Sequence, residues 1–133
     1  MCRGLILACA LGMRVLAFGA GAACELDLAG VWRLSGLGVG NEPIFCAADV
    51  PGDVHSALVR AGIVPDTFYG TNELSAAWIN RRGWTLSRTF SVDEKVLGAK
   101  SVVLRLEDVD TFADVFVNGV RVGETSNRFR RWE

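Results

Sequence analysis

The acidic residues between Glu107 and Asp114 are the densest group in the chain that could do chemistry: Glu107, Asp108, Asp110 and Asp114. Carboxylate oxygens at a sandwich loop are the ligands a calcium ion takes, but the ligand spacing of a known calcium loop is missing. The alternative assigns Asp108 and Asp110 to bonding backbone amides at the entry to a tight hairpin. His55 is the one histidine. Its side chain is suited to acid/base work near neutral pH, yet it has no partner close in sequence and lies where a first helical turn is expected, which assigns it to positioning or packing. Tyr69, Asn72, Glu73 and Trp78 form the best sugar-facing group: aromatic faces stack on pyranose C–H bonds, and amides and carboxylates bind hydroxyls. Contact with a neighbouring domain is the competing role for the same loop. Arg128, Arg130 and Arg131 with Phe129 and Trp132 combine charge and aromatics as single-stranded nucleic-acid binders do. As the lead into a strand, they instead place the arginines on a solvated or interdomain face.

The chain that must position these residues is 133 long, with 14 Lys plus Arg, 15 Asp plus Glu and a net charge of -1. That length suits one domain. Half of the residues are hydrophobic and 22% are charged, which is enough to form a core. A near-neutral balance argues against a dedicated nucleic-acid binder.

Residues 1–23 form a distinct segment: Arg3, an apolar run, Arg14, a second apolar run and the small-residue end Ala20-Gly21-Ala22-Ala23, with no acid before Glu25. This has the layout of a secretory signal peptide, which would place the protein in a secreted, periplasmic or lysosomal setting. Arg14 opposes that reading; translation beginning at Met13 is the alternative, leaving a cytoplasmic protein. Neither apolar run reaches the roughly 20 residues a membrane span needs. The domain is then residues 24–133, in which 12 bases face 15 acids, a net of -3. It retains Cys24 and Cys46, which can bridge only in an oxidising compartment and are expected as two buried thiols. Their spacing makes no zinc site, and no metal or other cofactor is expected.

Beyond the leader the pattern is β. Leu28 to Leu34 predicts a strand anchored by Trp32, Gly36 to Asn41 a loop, and Ile44 to Val50 a second strand stopped by Pro51-Gly52. Asp53 predicts an N-cap for a helix carrying Val54, Leu58 and Ala61, closed by Gly62. Pro65 to Asn80 is an excursion loop with a helical turn around Glu73 to Trp78. Trp84 to Val92 alternates large residues at 84, 86, 88, 90 and 92 with Ser or Thr, the period of a strand with one face on the core. Val102 to Val109 is another strand, and Asn118-Gly119 joins Ala113–Val117 to Val120–Gly123 as a hairpin. The sum is an all-β antiparallel sandwich with one short helix. Asn127 to Glu133 approaches a further strand that would pair an exposed edge, so the sandwich is expected to be incomplete at its C-terminal side.

The order and spacing of Val50-Pro51-Gly52-Asp53-Val54-His55, Phe68-Tyr69-Gly70-Thr71-Asn72-Glu73, Trp78, Trp84, Glu107 to Thr111 and Ala113 to Gly119 resemble the N-terminal domain of β-mannosidases. These belong to the glycoside hydrolase family that also holds β-galactosidases and β-glucuronidases. The resemblance runs from about Leu28 to Glu133. Asp66-Thr67 stands where the family more often has Asp-Pro. It implies a galactose-binding-like jelly roll, followed in the family by an immunoglobulin-like domain and a (β/α)₈ barrel. It also implies a parent enzyme that removes terminal β-mannose from oligosaccharides with retention, using two carboxyl groups about 5–5.5 Å apart. Both family glutamates lie on the barrel, and the sugar-lining tryptophan–aspartate element lies beyond Glu133. The resemblance therefore carries no catalytic residue onto this chain. The expected partners are the immunoglobulin-like and barrel domains and an oligosaccharide with terminal β-mannose, with no nucleic acid and no membrane. A stand-alone carbohydrate-binding module and a non-functional truncated gene product are the alternatives.

Overall fold

The computed structural model describes residues 2–6, 12–18 and 24–133. Among the described residues, nine strands make two antiparallel sheets: β1 Cys2–Ile6, β2 Gly12–Phe18, β3 Cys24–Asp27, β4 Gly30–Leu37, β5 Pro43–Val50, β6 Thr85–Phe90, β7 Ser101–Glu107, β8 Ala113–Val117 and β9 Val120–Thr125. The larger sheet has the order β5-β4-β6-β1-β8-β9 and the smaller β3-β2-β7. The core unites both: Trp32, Leu34, Leu86 and Val115 from the larger sheet, with Met13, Val15 and Leu106 from the smaller. This is the all-β antiparallel sandwich that the alternating apolar pattern predicts.

Several boundaries follow the local chemistry. The helix α1, Val54–Arg60, begins at Asp53, whose carboxylate accepts from the Ser56 backbone N–H at 2.9 Å. It buries Ala57 and Leu58, and its end at Ala61 precedes Gly62 at φ +68°. The hairpin turns at Asn118 and Gly119, both at positive φ (52° and 80°), as a type I′ turn demands. The strand expected at Leu28 to Leu34 is displaced: it begins at Gly30 and runs on to Leu37, through Gly36, which was expected in a loop. Gly36 is there for contact, since a Cβ would sit 2.4 Å from the Trp84 ring. Trp84 packs against that bare backbone and donates its indole N–H to the Ile79 carbonyl at 3.0 Å.

Besides α1, the helical turn expected around Glu73 to Trp78 is present as α2 Asn72–Ala76 and a 3₁₀ turn at Ala77–Arg81, and a further short helix, α3 Glu94–Leu97, was not expected. The signal for α3 is Asp93, whose carboxylate caps the Val96 N–H at 2.9 Å. Cys24 and Cys46 are free and half-buried, not fully buried. Burial raises the Cys46 thiol pKa, with Arg60 partly offsetting it, so at neutral pH this thiol holds its proton.

Within the leader-like segment, residues 2–6 and 12–18 run as strands in both sheets. β1 lies between β6 and β8, and β2 between β3 and β7. Met13, Val15, Leu16 and Ala17 are buried. The small-residue run at 20–23 lies outside the described residues, as does Cys9.

The Asp53 cap is testable. Burial raises the Asp53 pKa, but hydrogen bonds from the Ser56 backbone and hydroxyl, with the nearby His55 charge, outweigh it and lower the net value below 3.8. A carboxylate with a depressed folded pKa stabilises the fold above its unfolded pKa, and that contribution is lost as pH falls through the folded value. Asp53→Ala is therefore expected to cost about 1 kcal/mol at neutral pH and less in acid, where the carboxylate is protonated, read from urea midpoints at the two pH values. An equal loss at both would show that the charge plays no part.

Candidate functional site

The excursion between α1 and β6 is organised by Asp66. Its carboxylate accepts from the Phe68 N–H at 3.0 Å, and its carbonyl accepts from Tyr69 N–H at 3.3 Å and from the Asn72 side-chain amide at 2.9 Å. Such side-chain-to-backbone closure fixes a turn without a strand or helix. α2 follows, with Glu73 in its first turn, and the Ser75 hydroxyl donates to the Asn72 carbonyl at 2.7 Å. The 3₁₀ turn then buries Ile79 and lays Trp78 beside Trp84, ring centres 5.9 Å apart at 48°.

The four sugar-facing candidates thus occupy different environments. Tyr69 is 79% exposed, and Glu73 also faces solvent at the start of α2. Asn72 is half-buried, with an amide hydrogen committed to Asp66. Trp78 is a partly buried margin of the core. Backbone bonding links Tyr69 and Asn72 directly, the Asn72 N–H donating to the Tyr69 carbonyl at 3.3 Å. The side chains that sequence reasoning passed over are Phe68, 98% exposed, and Leu74, 78% exposed. With Tyr69 they are exposed apolar side chains on one loop and its helix. The available signal was two adjacent aromatics among turn formers, where no periodicity gives them a core face.

The acidic group near the hairpin is held by arginines. Asp114 pairs with Arg121 at 2.7 Å, Glu107 with Arg131 at 2.9 Å and Asp110 with Arg128 at 3.4 Å. Arg121 also reaches Glu124, and the hydrogen bonds it donates to Asp114 and then to Glu124 raise its pKa. Asp108 stands at φ 53°, in the tight entry to β8. Arg130 lies instead over the Trp132 ring, at 4.9 Å. These exposed pairs contribute little to stability, because solvent screens them. His55 lies half-buried in the first turn of α1 beside Asp53. Among the described residues, no three of His, Cys, Asp and Glu are grouped as a metal would need, and no helix is long and apolar enough to cross a membrane.

Residues 32–133 match the family model described as the glycosyl hydrolase 2 galactose-binding domain-like domain. The chain belongs to that family. As a galactose-binding-like domain of glycosyl hydrolase 2, it is similar to β-mannosidases along most of its length. It is 38% identical to the β-mannosidase of Rattus norvegicus over 106 residues, covering 80% of this chain and 12% of the rat protein. It is 36% identical to a probable β-mannosidase of Caenorhabditis elegans over 107 residues, 78% of this chain and 11% of that protein. β-Mannosidase B of Thermothelomyces thermophilus is 37% identical over 79 residues, 59% of this chain and 9% of the fungal one. The chain therefore spans about 12% of the length of the rat relative. No solved structure gives a significant match. The match begins at Trp32, so β1, β2 and β3 precede it, whereas the excursion loop and the hairpin lie within it.

Proposed function

We propose that this galactose-binding-like domain serves as the non-catalytic first domain of a β-mannosidase-type retaining glycoside hydrolase, supporting the rim of the active site and docking the catalytic barrel. The observation that carries the reading is the match to β-mannosidases across about 80% of this chain but only about 12% of the rat protein, which leaves most of the enzyme to other domains. The docking surface is the excursion loop, where Phe68, Tyr69 and Leu74 project into solvent. Exposed apolar side chains clustered on one loop mark an interaction site more often than chance. The partners are then the immunoglobulin-like and barrel domains, and the substrate of the whole enzyme is an oligosaccharide ending in β-mannose.

Complementation tests this. A β-mannosidase relative lacking its own first domain is expected to recover hydrolysis of a chromogenic β-mannoside when co-expressed with this chain, while the chain alone turns nothing over. Phe68→Asp is expected to abolish that recovery while changing the chain's own stability by no more than about 0.5 kcal/mol. Turnover by the isolated chain would overturn the proposal, as would complementation indifferent to Phe68.

The exposure of Tyr69 and Glu73 favours one other reading, a carbohydrate-binding module using Tyr69, Asn72, Glu73 and Trp78. A free module of this kind binds mannose with a Kd of about 1 mM or tighter, and amide resonances of the loop would shift on titration. The docking proposal expects no such shifts.

A further inference from the structure

We propose that Arg82 is a positioning residue for the excursion loop, a role that rests on the docking function proposed above. Its guanidinium latches the base of the excursion onto the β4–β5 hairpin and so sets how Phe68, Tyr69 and Leu74 are presented. The tip of the excursion is closed by its own bonds: Asp66 to Phe68, Tyr69 and Asn72, and Ser75 to Asn72. Its helix α2 packs chiefly on the 3₁₀ turn that follows. The tip therefore takes its orientation from that turn and from the residues leading into β6. Ala76 and Ile79 hold this base down by burial, each 2% exposed. Apolar packing is non-directional, so it fixes the depth of the base better than its angle. The Trp84 indole bonds back to Ile79, within the same base.

Arg82 supplies a directional link to another element. One guanidinium nitrogen donates to the Asn41 side-chain oxygen and the other to the Val39 carbonyl, both at 3.1 Å. Both acceptors lie on the turn that joins β4 to β5, 41 and 43 residues earlier in the chain. That turn is itself fixed. The Gly38 N–H donates to the Glu42 carbonyl at 2.9 Å, the Asn41 N–H donates to the Gly38 carbonyl at 3.2 Å, and Asn41 stands at φ 64°. Asparagine takes this left-handed conformation more readily than most residues. A planar guanidinium fork meets two acceptors at once and sets orientation as well as distance, whereas a lysine ammonium bonds as a point charge. Val39 is 66% exposed and Asn41 also lies at the surface, where a lost side-chain bond changes stability little. The consequence of the fork therefore falls on the placement of the loop.

The test titrates the purified chain against a β-mannosidase relative lacking its own first domain and follows recovery of β-mannoside hydrolysis. Arg82→Ala is expected to raise the concentration for half-maximal recovery about tenfold, as the loss of charge-assisted hydrogen bonds implies. Its thermal midpoint is expected to fall by no more than about 2 °C. Arg82→Lys, which keeps the charge but not the fork, is expected to need only about threefold more than the unsubstituted chain. Asn41→Gly keeps the left-handed turn and removes one acceptor, so its own effect is expected to vanish in the Arg82→Ala background. No recovery with the unsubstituted chain would sink the docking role and the latch with it. Recovery in which Arg82→Ala matches the unsubstituted chain would overturn the latch alone, as would additive effects of Asn41→Gly and Arg82→Ala. So would a midpoint lowered by about 5 °C or more in Arg82→Ala, because the arginine would then serve the fold rather than the loop.

Discussion

A chain beginning at Cys24 is expected to lose the single cooperative unfolding transition of residues 1–133. β1 pairs with β6 from Cys2↔Phe90 to Ile6↔Leu86 and with β8 through Leu5↔Phe116 and its neighbours. Without it the larger sheet separates into β5-β4-β6 and β8-β9. β2 pairs with β7 from Gly12↔Glu107 to Phe18↔Ser101, and without it β7 has no neighbour in its own sheet. The deletion also withdraws Met13, Val15, Leu16 and Ala17 from the core. Fully burying one large aliphatic side chain contributes about 1.5–3 kcal/mol, so three of them rival the 5–15 kcal/mol that holds a typical domain together. Far-UV circular dichroism on heating both chains provides the check. Equal midpoints would mean that the two N-terminal strands contribute nothing to the fold.

Trp32→Ala carries the second largest expected effect, a loss of about 3–5 kcal/mol. Trp32 is 2% exposed and fills the centre of the sandwich from β4. Its indole N–H donates to the Leu28 carbonyl at 2.8 Å, and the same carbonyl accepts from Arg88 at 2.7 Å. The side chain therefore fills the core and also ties down the corner where the chain passes from β3 to β4. Trp32→Phe separates the two roles. It keeps most of the buried area and gives up one hydrogen bond, for about 1 kcal/mol beyond the lost ring volume. Urea midpoints of the two variants should differ clearly. If Phe proved as damaging as Ala, the corner rather than the packing would carry the effect.

The leader-like composition of residues 1–23 and the central position of β2 arise from one trait. An apolar run with few charges suits a signal peptide and also suits a strand buried between two others. Composition cannot separate them, because what buries the run is the unpaired edges of strands elsewhere in the chain. Arg14 shows how the sheet accommodates the charge that opposed the leader reading: it faces outward and pairs with Glu25 of β3 at 2.7 Å.

The candidate site was legible only as a region. Its turn formers located the loop and its aromatics marked it as worth attention. The fate of each side chain depended on contacts that no spacing rule encodes. Asn72 is drawn back by the Asp66 carbonyl, and Trp78 is held by a tryptophan from the approach to β6. Phe68 is left outside because Asp66 closes the turn beneath it.

What the sequence determined by itself was whatever a few adjacent residues settle. Asp53 fixes where α1 begins, Asn118-Gly119 fix the hairpin, and strict alternation fixes β6 with its inner face. That alternation also set Arg88 inward with the apolar residues. Only the tertiary structure explains how a guanidinium rests there: the Leu28 and Ala29 carbonyls accept from it at 2.7 and 2.5 Å. Strand order, the two N-terminal strands and the exposed loop were decided in the same way. Caps and turns are satisfied within a few residues, whereas a sheet neighbour or a buried charge is satisfied by groups that only folding brings within reach.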